Sequence, residues 1–472
     1  MNVAAAPHRH APGAALADPR PLRNPDTSSR EVMTRRGWWL VVMNFVLPGS
    51  AQLLAGNRRL GRIGIVATIA AWAAVALLVA LALWWRPVFV GLVANWWMLL
   101  LVQAVLLAYA VLWVALTVDT LRLVRLVRAR PRARVAIAAL AVVLVAVPAS
   151  AAVYAAQSVV APARAGLSVF GSGPAVAPSD GYYNFLLIGA DSAQGRDHML
   201  FDSISVVSVN ADTGAVTIFG IPRDLRDVPF SDGPMQQLYP DGHTGHADPE
   251  CGWDDKINQL NTEVGLCRAD EQLYPDAVAR GSTPGIEATR DAAEGVLGLE
   301  IPYFVFIDMD GFAALIDALG GVDITVTERL PTGALHENPD GSLSGITGWI
   351  EVGDQHMDGE TALWYARSRY TTSDWDRMTR QRELQTAILA QFTPTNVLTR
   401  FQDIMSAGTD VVQTDIPSEM LPDLTELAVK AREQDVTTIE LTADSGIDPD
   451  QPDYPAIHDL VERTLHPEPA PE

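Results

Sequence analysis

Residues 365–382 read YARSRYTTSDWDRMTRQR and hold five arginines, Arg367, Arg369, Arg377, Arg380 and Arg382, interleaved with Asp374 and Asp376. The chain that carries them is acidic, with a formal charge of −22. Guanidinium groups gathered in this way either neutralise the protein's own carboxylates or are kept for an anion from outside. Several forks converging on one pocket suit phosphate or pyrophosphate, which they bind bidentately. Placed on a helix from about residue 374, Asp374, Arg377 and Gln381 fall on one face, which Leu384 and Ile388 continue. A polar stripe running into an apolar one is more than a solvated surface helix needs. Arg380 and Arg382 project to the sides and read equally as surface charges. Arg367 and Arg369, two apart, share one face if the chain there is a strand.

Further polar residues stand at the ends of expected strands. Asp191 closes YNFLLIGAD (183–191), and Arg223 and Asp224 close AVTIFGIPRD (215–224). Asp202 stands just before SISVVSVN (203–210). In α/β sheets ligands gather beyond the carboxyl ends of strands. Each residue taken alone also fits turn capping or pairing with a neighbour. Taken with the arginines, paired carboxylates suit Mg²⁺, which binds through one or two carboxylates plus substrate phosphates. Cationic forks with a carboxylate-held metal are the equipment of phosphoryl transfer. Lys256, in DDKINQLN, is one of only two lysines in the chain and offers a compact point charge, with Asp254 and Asp255 as alternative partners. Asp308 and Asp310 read as a helix start, and Asp317 as part of a helix face.

The elements that position these residues form a layered α/β domain. Besides the strands above, IEATRDAAEGVLG (286–298) and MDGFAALIDALGG have helical spacing, and IPYFVFID and VDITVTE read as strands. The stretch 383–466 reads as mainly helical with a strand at 436–441. Strands alternating with helices predict helices on both faces of the sheet. Cys251 and Cys267, sixteen residues apart and the only cysteines, predict one disulfide. His243 and His246 leave a Cys/His metal site as the alternative.

The first 160 residues carry 16 basic and 4 acidic side chains, while the remainder carries 18 and 52. A soluble part with that surplus of negative charge is a poor partner for nucleic acid. Residues 37–156, nearly uncharged outside two arginine clusters, predict a membrane domain. Segments 62–85, 88–118 and 135–156 are long enough to span a bilayer as helices of about 20 residues. Segment 37–56 is interrupted by Pro48-Gly49. Arginines flank it on both sides, so the positive-inside rule predicts a re-entrant hairpin there, three full spans, and an extracytoplasmic domain beyond residue 157. A fourth span at 37–56 is the alternative. Residues 1–36 read as a disordered cytoplasmic tail, 157–182 as a linker, 183–466 as the exported domain and 467–472 as a disordered tail. No cleavable signal peptide is expected.

In order, NFLLIGAD, FDSISVVSVN, IFGIPRDL, DKIN, DALGGVDITV, GDQHMDGETALWYARSRY and SDWDRMTRQRE resemble the LytR-CpsA-Psr family over about 183–395, in its actinobacterial type. The resemblance implies an α-β-α layered domain with a central mixed sheet, behind an N-terminal helical membrane domain. It also implies a Mg²⁺-dependent phosphotransferase that moves a phosphosaccharide from a polyprenyl pyrophosphate carrier to peptidoglycan outside the cell. Asp191 and Asp202 match the family's metal aspartates, and Arg223, Arg367, Arg369 and Arg377 its pyrophosphate arginines. Asp374 and Gln381 match polar pocket residues, Asp224 belongs to the PRD signature, and Lys256 matches a pocket lysine. Asp374 or Asp224 is then the expected base and Arg377 a catalytic cation. Two departures stand out. Leu200 occupies a place where the family usually has Arg, and Ser192 follows the first aspartate where an Arg usually follows closely. Arg196, after an insertion, is the cation available in their stead. The glycan would be a wall polymer such as arabinogalactan. A polyprenyl pyrophosphatase and a non-catalytic lipid-pyrophosphate-binding regulator remain as alternatives.

Overall fold

A computed structural model describes residues 22–160, 167–171, 173–191, 199–333, 335–338, 340, 342–368, 372–391, 412–432 and 434–467. Two compact units emerge, one of residues 1–80 and 101–158, the other of 81–100 and 159–472.

In the first unit α1 (Arg30–Val46) and α2 (Ser50–Ala55) are separated at Leu47-Pro48-Gly49. α1 begins inside the stretch read as a disordered tail, and Arg36 is buried, donating to the carbonyls of Leu22 and Leu123. Gly49 turns the chain with φ +98°, and a Cβ there would lie 2.5 Å from the Gly61 carbonyl oxygen. Asn44 accepts from the Gly49 amide (3.2 Å), and Gln52 donates to the Leu116 carbonyl (2.7 Å). These bonds satisfy backbone and amide groups that an apolar surrounding would penalise. Three helical stretches, Arg58–Trp84, Trp96–Arg128 and Pro131–Gln157, are long and apolar enough to cross a membrane. We label their helices α3 (Arg58–Trp84), α5 (Trp96–Val124) and α6 (Pro131–Tyr154); α4 (Arg86–Val93), between the first two in sequence, falls with residues 81–100 in the second unit. The segment read as one span over 88–118 is therefore divided. Pro87 fits the first turn of a new helix, and α4 ends before Ala94-Asn95.

The second unit is built on a six-stranded mixed sheet. Its strands are β1 (Tyr182–Asp191), β2 (Leu200–Asn210), β3 (Val216–Ile221), β4 (Tyr303–Asp308), β9 (Val412–Thr414) and β10 (Thr437–Glu440), in the order β9-β4-β1-β2-β3-β10. β1 is parallel to β4 and antiparallel to β2, and β3 is antiparallel to β2 and parallel to β10. Strand alternation sorts the side chains. Leu186, Ile188, Ile204 and Val206 enter the core under helices α7 (Pro284–Leu297) and α12 (Tyr454–Leu465). Phe185, Leu187 and Val207 face the other way. On that side stand α8 (Met309–Leu319), α9 (Gly359–Arg367) and α10 (Asp374–Gln391). Short strands β5 (Val322–Val326), β6 (Leu330–Thr332), β7 (Gly348–Ile350) and β8 (Gly353–Met357) pair as β5-β8 and β6-β7 beside them. Helix α11 (Leu421–Ala431) precedes β10. The result is the α-β-α layered domain with a central mixed sheet.

Cys251 and Cys267 form a disulfide, with Cα atoms 5.6 Å apart. It closes a loop whose interior holds Glu263, fully buried and bonded to Tyr239 Oη (2.5 Å) and His243 Nε2 (2.7 Å). Burial and the Glu263 carboxylate push the Tyr239 phenol up to about 12.

Candidate active site

Between the second face of the sheet and helices α8–α10 lies a cavity of about 610 Å³, within the range typical of ligand pockets. Its walls are largely apolar, with Leu187, Val305 and Ile307 from the sheet facing Phe312, Leu363 and Ile388 from the helices. Asp202, Arg223, Arg367, Arg377 and Gln381 also line it.

Asp202 reaches the cavity through a β-bulge. The β1–β2 register steps from Gly189↔Ser203 to Ala190↔Phe201, leaving Asp202 as the extra residue. Strict alternation would aim Asp202 with Ile204 and Val206 into the core. The bulge inverts the phase, so Phe201 joins the core and Asp202 lines the cavity. Asp202 thus lies within β2 and not ahead of it. The pairing Ile204↔Ile221 brings the end of β3 alongside, and Arg223 Nη1 donates to Asp202 Oδ1 at 2.6 Å. Arg223 Nε lies 3.6 Å from Asp224 Oδ2, and Lys256 Nζ lies 3.3 Å from Asp224 Oδ1. Asp202, Arg223, Asp224 and Lys256 form a continuous charged row, of which only the first two line the cavity. Asp255, a candidate partner for Lys256, bonds Arg226 instead (2.6 Å).

The helix face foreseen for α10 is the one that lines the cavity, through Arg377, Gln381, Leu384 and Ile388. Arg377 is 5% exposed. Gln381 donates to the Ala366 carbonyl (3.3 Å), while its Oε1 is buried without a hydrogen-bond partner among the described residues. Such an orphaned acceptor facing a cavity is a candidate contact for a donor on a ligand. Arg367 differs from the strand reading, because it ends helix α9. The sequence GETALWYAR is amphipathic, with Ala362 and Tyr365 buried and Asp358 capping its start by accepting from Thr361 N. Arg367 lies over the Trp364 ring, 5.4 Å from its centroid.

Arg380 and Arg382 differ most from their reading as surface charges, being 7% and 3% exposed. Arg382 donates to Glu440 Oε1 (3.0 Å) and Gln385 Oε1 (2.6 Å), tying α10 to β10. Burial pushes the Glu440 carboxyl up, and Arg382 opposes the shift. Gly220 makes room for Glu440, whose Oε2 lies 2.0 Å from where a Cβ would stand. Arg380 donates to the carbonyls of Tyr365 (3.0 Å) and Ser368 and to Thr372 Oγ1 (3.2 Å). Burial lowers its pKa from the usual arginine value. Local spacing offers only Gln385 to Arg382, while Glu440 and the acceptors of Arg380 are presented by other elements. Asp308, the expected helix start, caps α8 by accepting from Gly311 N (2.7 Å) and also lines the cavity. Arg196 and Arg369 lie outside the described residues, as do the side chains of Asp191 and Asp374, whose backbones end β1 and open α10.

The profile of the LytR_cpsA_psr family matches residues 158–458. The chain is 26% identical over 262 residues to biofilm regulatory protein A of Streptococcus mutans, covering 54% of this chain and 55% of that protein. It is 28% identical over 236 residues to the polyisoprenyl-teichoic acid–peptidoglycan teichoic acid transferase TagU of Halalkalibacterium halodurans, covering 50% and 61%. Among solved structures, protein gbs0355 of Streptococcus agalactiae aligns with a TM-score of 0.43 at 21% identity, covering 60% of this chain and 88% of that one. The chain thus spans less than two thirds of the length of the curated relatives named here. The matched segment runs through every element that lines the cavity, and the chain belongs to the LytR-CpsA-Psr family.

Proposed function

We propose that the protein is a membrane-anchored phosphotransferase that moves a phosphosaccharide from a polyprenyl pyrophosphate carrier to peptidoglycan and releases polyprenyl phosphate. One observation carries this reading: a largely apolar cavity between sheet and helices that is also lined by Arg223, Arg367, Arg377 and Asp202. That arrangement matches a ligand with a hydrocarbon body and a diphosphate head. The relative named TagU is a teichoic acid transferase by its name, which supports the same class. The arginine clusters at 58–62 and 122–134 support an extracytoplasmic placement of the domain.

In this reading the lipid lies against Leu187, Val305 and Phe312, and the guanidinium groups of Arg223, Arg367 and Arg377, with Arg369, receive the diphosphate. Asp202 offers a hard oxygen donor beside this cationic cluster, a chemistry that fits Mg²⁺. Asp202 and Asp191 would hold the ion, which would neutralise diphosphate charge. Asp224 is engaged by Arg223 and Lys256, so its part is to hold those cations. Asp374, one turn ahead of Arg377 on α10, is then the candidate to take the proton from an acceptor hydroxyl. The acceptor oxygen attacks the sugar-proximal phosphorus in line, forming a phosphodiester as the bond to the bridging oxygen breaks and polyprenyl phosphate leaves.

The test incubates the full chain in detergent with a polyprenyl-pyrophosphate-linked saccharide, Mg²⁺ and uncross-linked peptidoglycan, beside Arg377→Ala. A phosphodiester-linked product that disappears without Mg²⁺ or Arg377 is expected. Saccharide phosphate released regardless of acceptor would replace the transferase reading with a hydrolase, and binding without turnover would replace it with a binding module.

A further inference from the structure

We propose that Arg380 is a positioning residue for diphosphate binding. Together with Gln381 it caps the C-terminal turn of α9 and so fixes Arg367 at the cavity. This rests on the reading that the cavity takes a lipid diphosphate.

A helix leaves the carbonyls of its last turn without intrahelical partners. In α9 two of them, at Tyr365 and Ala366, are met from outside, together with the carbonyl of the cap residue Ser368. Arg380 donates from Nε to the Tyr365 carbonyl at 3.0 Å and from Nη2 to the Ser368 carbonyl, and Gln381 donates to the Ala366 carbonyl at 3.3 Å. The three acceptors belong to residues 365, 366 and 368, immediately around Arg367. Side-chain capping by a cation at a helix C-terminus is favourable because the dipole there is negative. The fork is what the geometry requires. One planar group spans two carbonyls and Thr372 Oγ1, which an ammonium on a flexible stem does poorly.

Arg380 is 7% exposed and is absent from the residues lining the cavity, so it acts on the ligand only through its neighbours. The surrounding contacts serve the same purpose. Its guanidinium lies 5.9 Å from the Tyr365 ring centroid, and Tyr365 Oη donates to Glu383 Oε2 at 2.5 Å, returning from α9 to α10. The backbone holding Arg367 is therefore stitched to the helix that carries Arg377. A cation reaching a diphosphate from a short helix end needs such fixing, since misplacement by about 1 Å can cost about 100-fold in rate.

The experiment is a double-mutant cycle on the full chain in lipid nanodiscs, reading affinity for farnesyl diphosphate with Mg²⁺ by calorimetry. Arg367→Ala is expected to weaken binding by about 10-fold or more, and Arg380→Gln by about the same factor. If Arg380 works through Arg367, adding Arg380→Gln to Arg367→Ala costs less than about 3-fold further. In an Arg223→Ala background, where the other arginine does not sit on α9, the two losses multiply. Losses that multiply in both backgrounds, or wild-type affinity in Arg380→Gln, overturn the inference while leaving the proposed function standing. Absence of diphosphate binding by the wild-type chain removes both. Where Arg380→Gln does not fold, Arg380→Lys enters the same cycle. It keeps the charge without the fork and is expected to show the same coupling to Arg367.

Discussion

Asp291 gives the protein a predicted pH dependence separate from its chemistry. It lies on α7, facing the loop at Gly233, and receives the hydroxyl of Tyr274 at 2.5 Å. Burial pushes its carboxyl up to about 7, with Glu294 and Glu287 adding to the shift and Tyr274 and Arg290 opposing it. The unfolded value is 3.8. Between these two values the folded chain binds the extra proton, so stability falls as pH rises from about 4 to 7 and levels off above. Three pKa units correspond to about 4 kcal/mol at full effect, and we expect about 2–4 kcal/mol because the side chain is not wholly enclosed. Asp291→Asn keeps an acceptor for Tyr274 and removes the ionisation. At pH 8 the variant should melt higher than the wild type by roughly 2–4 °C per kcal/mol, and at pH 4 the two should coincide. The assay is thermal unfolding of the full chain in detergent, followed by near-UV circular dichroism from pH 4 to 8. Parallel profiles for wild type and variant would refute the reasoning, because they would mean that Asp291 ionises at its ordinary value.

Three further predictions concern the cavity, the membrane unit and the loop. Val305→Trp, which fills part of the cavity wall, should weaken farnesyl diphosphate binding strongly while leaving inorganic pyrophosphate binding within about 2-fold, measured by calorimetry. Gly49→Val places a Cβ against the Gly61 carbonyl at a backbone angle that branched residues avoid, at a cost of at least about 1–3 kcal/mol. Its detergent-solubilised form should show a lower melting temperature and faster proteolysis at the α1–α2 turn. Replacing Cys251 and Cys267 together by Ser should lower stability by about 3 kcal/mol, and reductant should then have no further effect on melting.

The polar-to-apolar face of α10 was readable because helical periodicity alone decides which side chains share a face, and the sheet strands were readable from runs of Val, Ile and Phe. The aim of Asp202 was not. A bulge changes the phase of a strand by one residue, and nothing in FDSISVVSVN marks where the pairing slips. Arg367 was misread as part of a strand because α9 is nine residues long and two arginines two apart fit either element. The division near residue 94 was hidden in an apolar run, its local sign being Asn95, whose side chain accepts from Met98 N (3.1 Å) at the start of α5. β9 went unforeseen because three residues carry too little periodicity to announce a strand. Arg380 and Arg382 could not be placed because burial of a cation is set by acceptors that other elements present, here the Tyr365 and Ser368 carbonyls and the carboxylate of Glu440.

The angular spacing of α10 explains how adjacent arginines come to such different surroundings. At about 100° per residue, Gln381 stands some 40° from Arg377, and both line the cavity. Arg380 stands about 60° to the other side of Arg377, toward α9, where the acceptors are carbonyls at a helix end. Arg382 stands about 140° away, on the flank that meets β10, where the acceptor is Glu440. A helix packed between a short helix and a sheet edge presents three environments, and a cation placed on each flank finds a fixed anionic or dipolar partner there. The flanking arginines therefore hold the helix in place through protein acceptors, and the central face of the same turns is directed to the cavity. After residue 160 the chain carries 18 basic and 52 acidic side chains, so most of the domain surface repels an anion, and the cavity gathers Arg223, Arg367 and Arg377 in one place. Arg377 and Gln381 face the cavity, while Arg380 and Arg382 tie α10 to the walls that frame it.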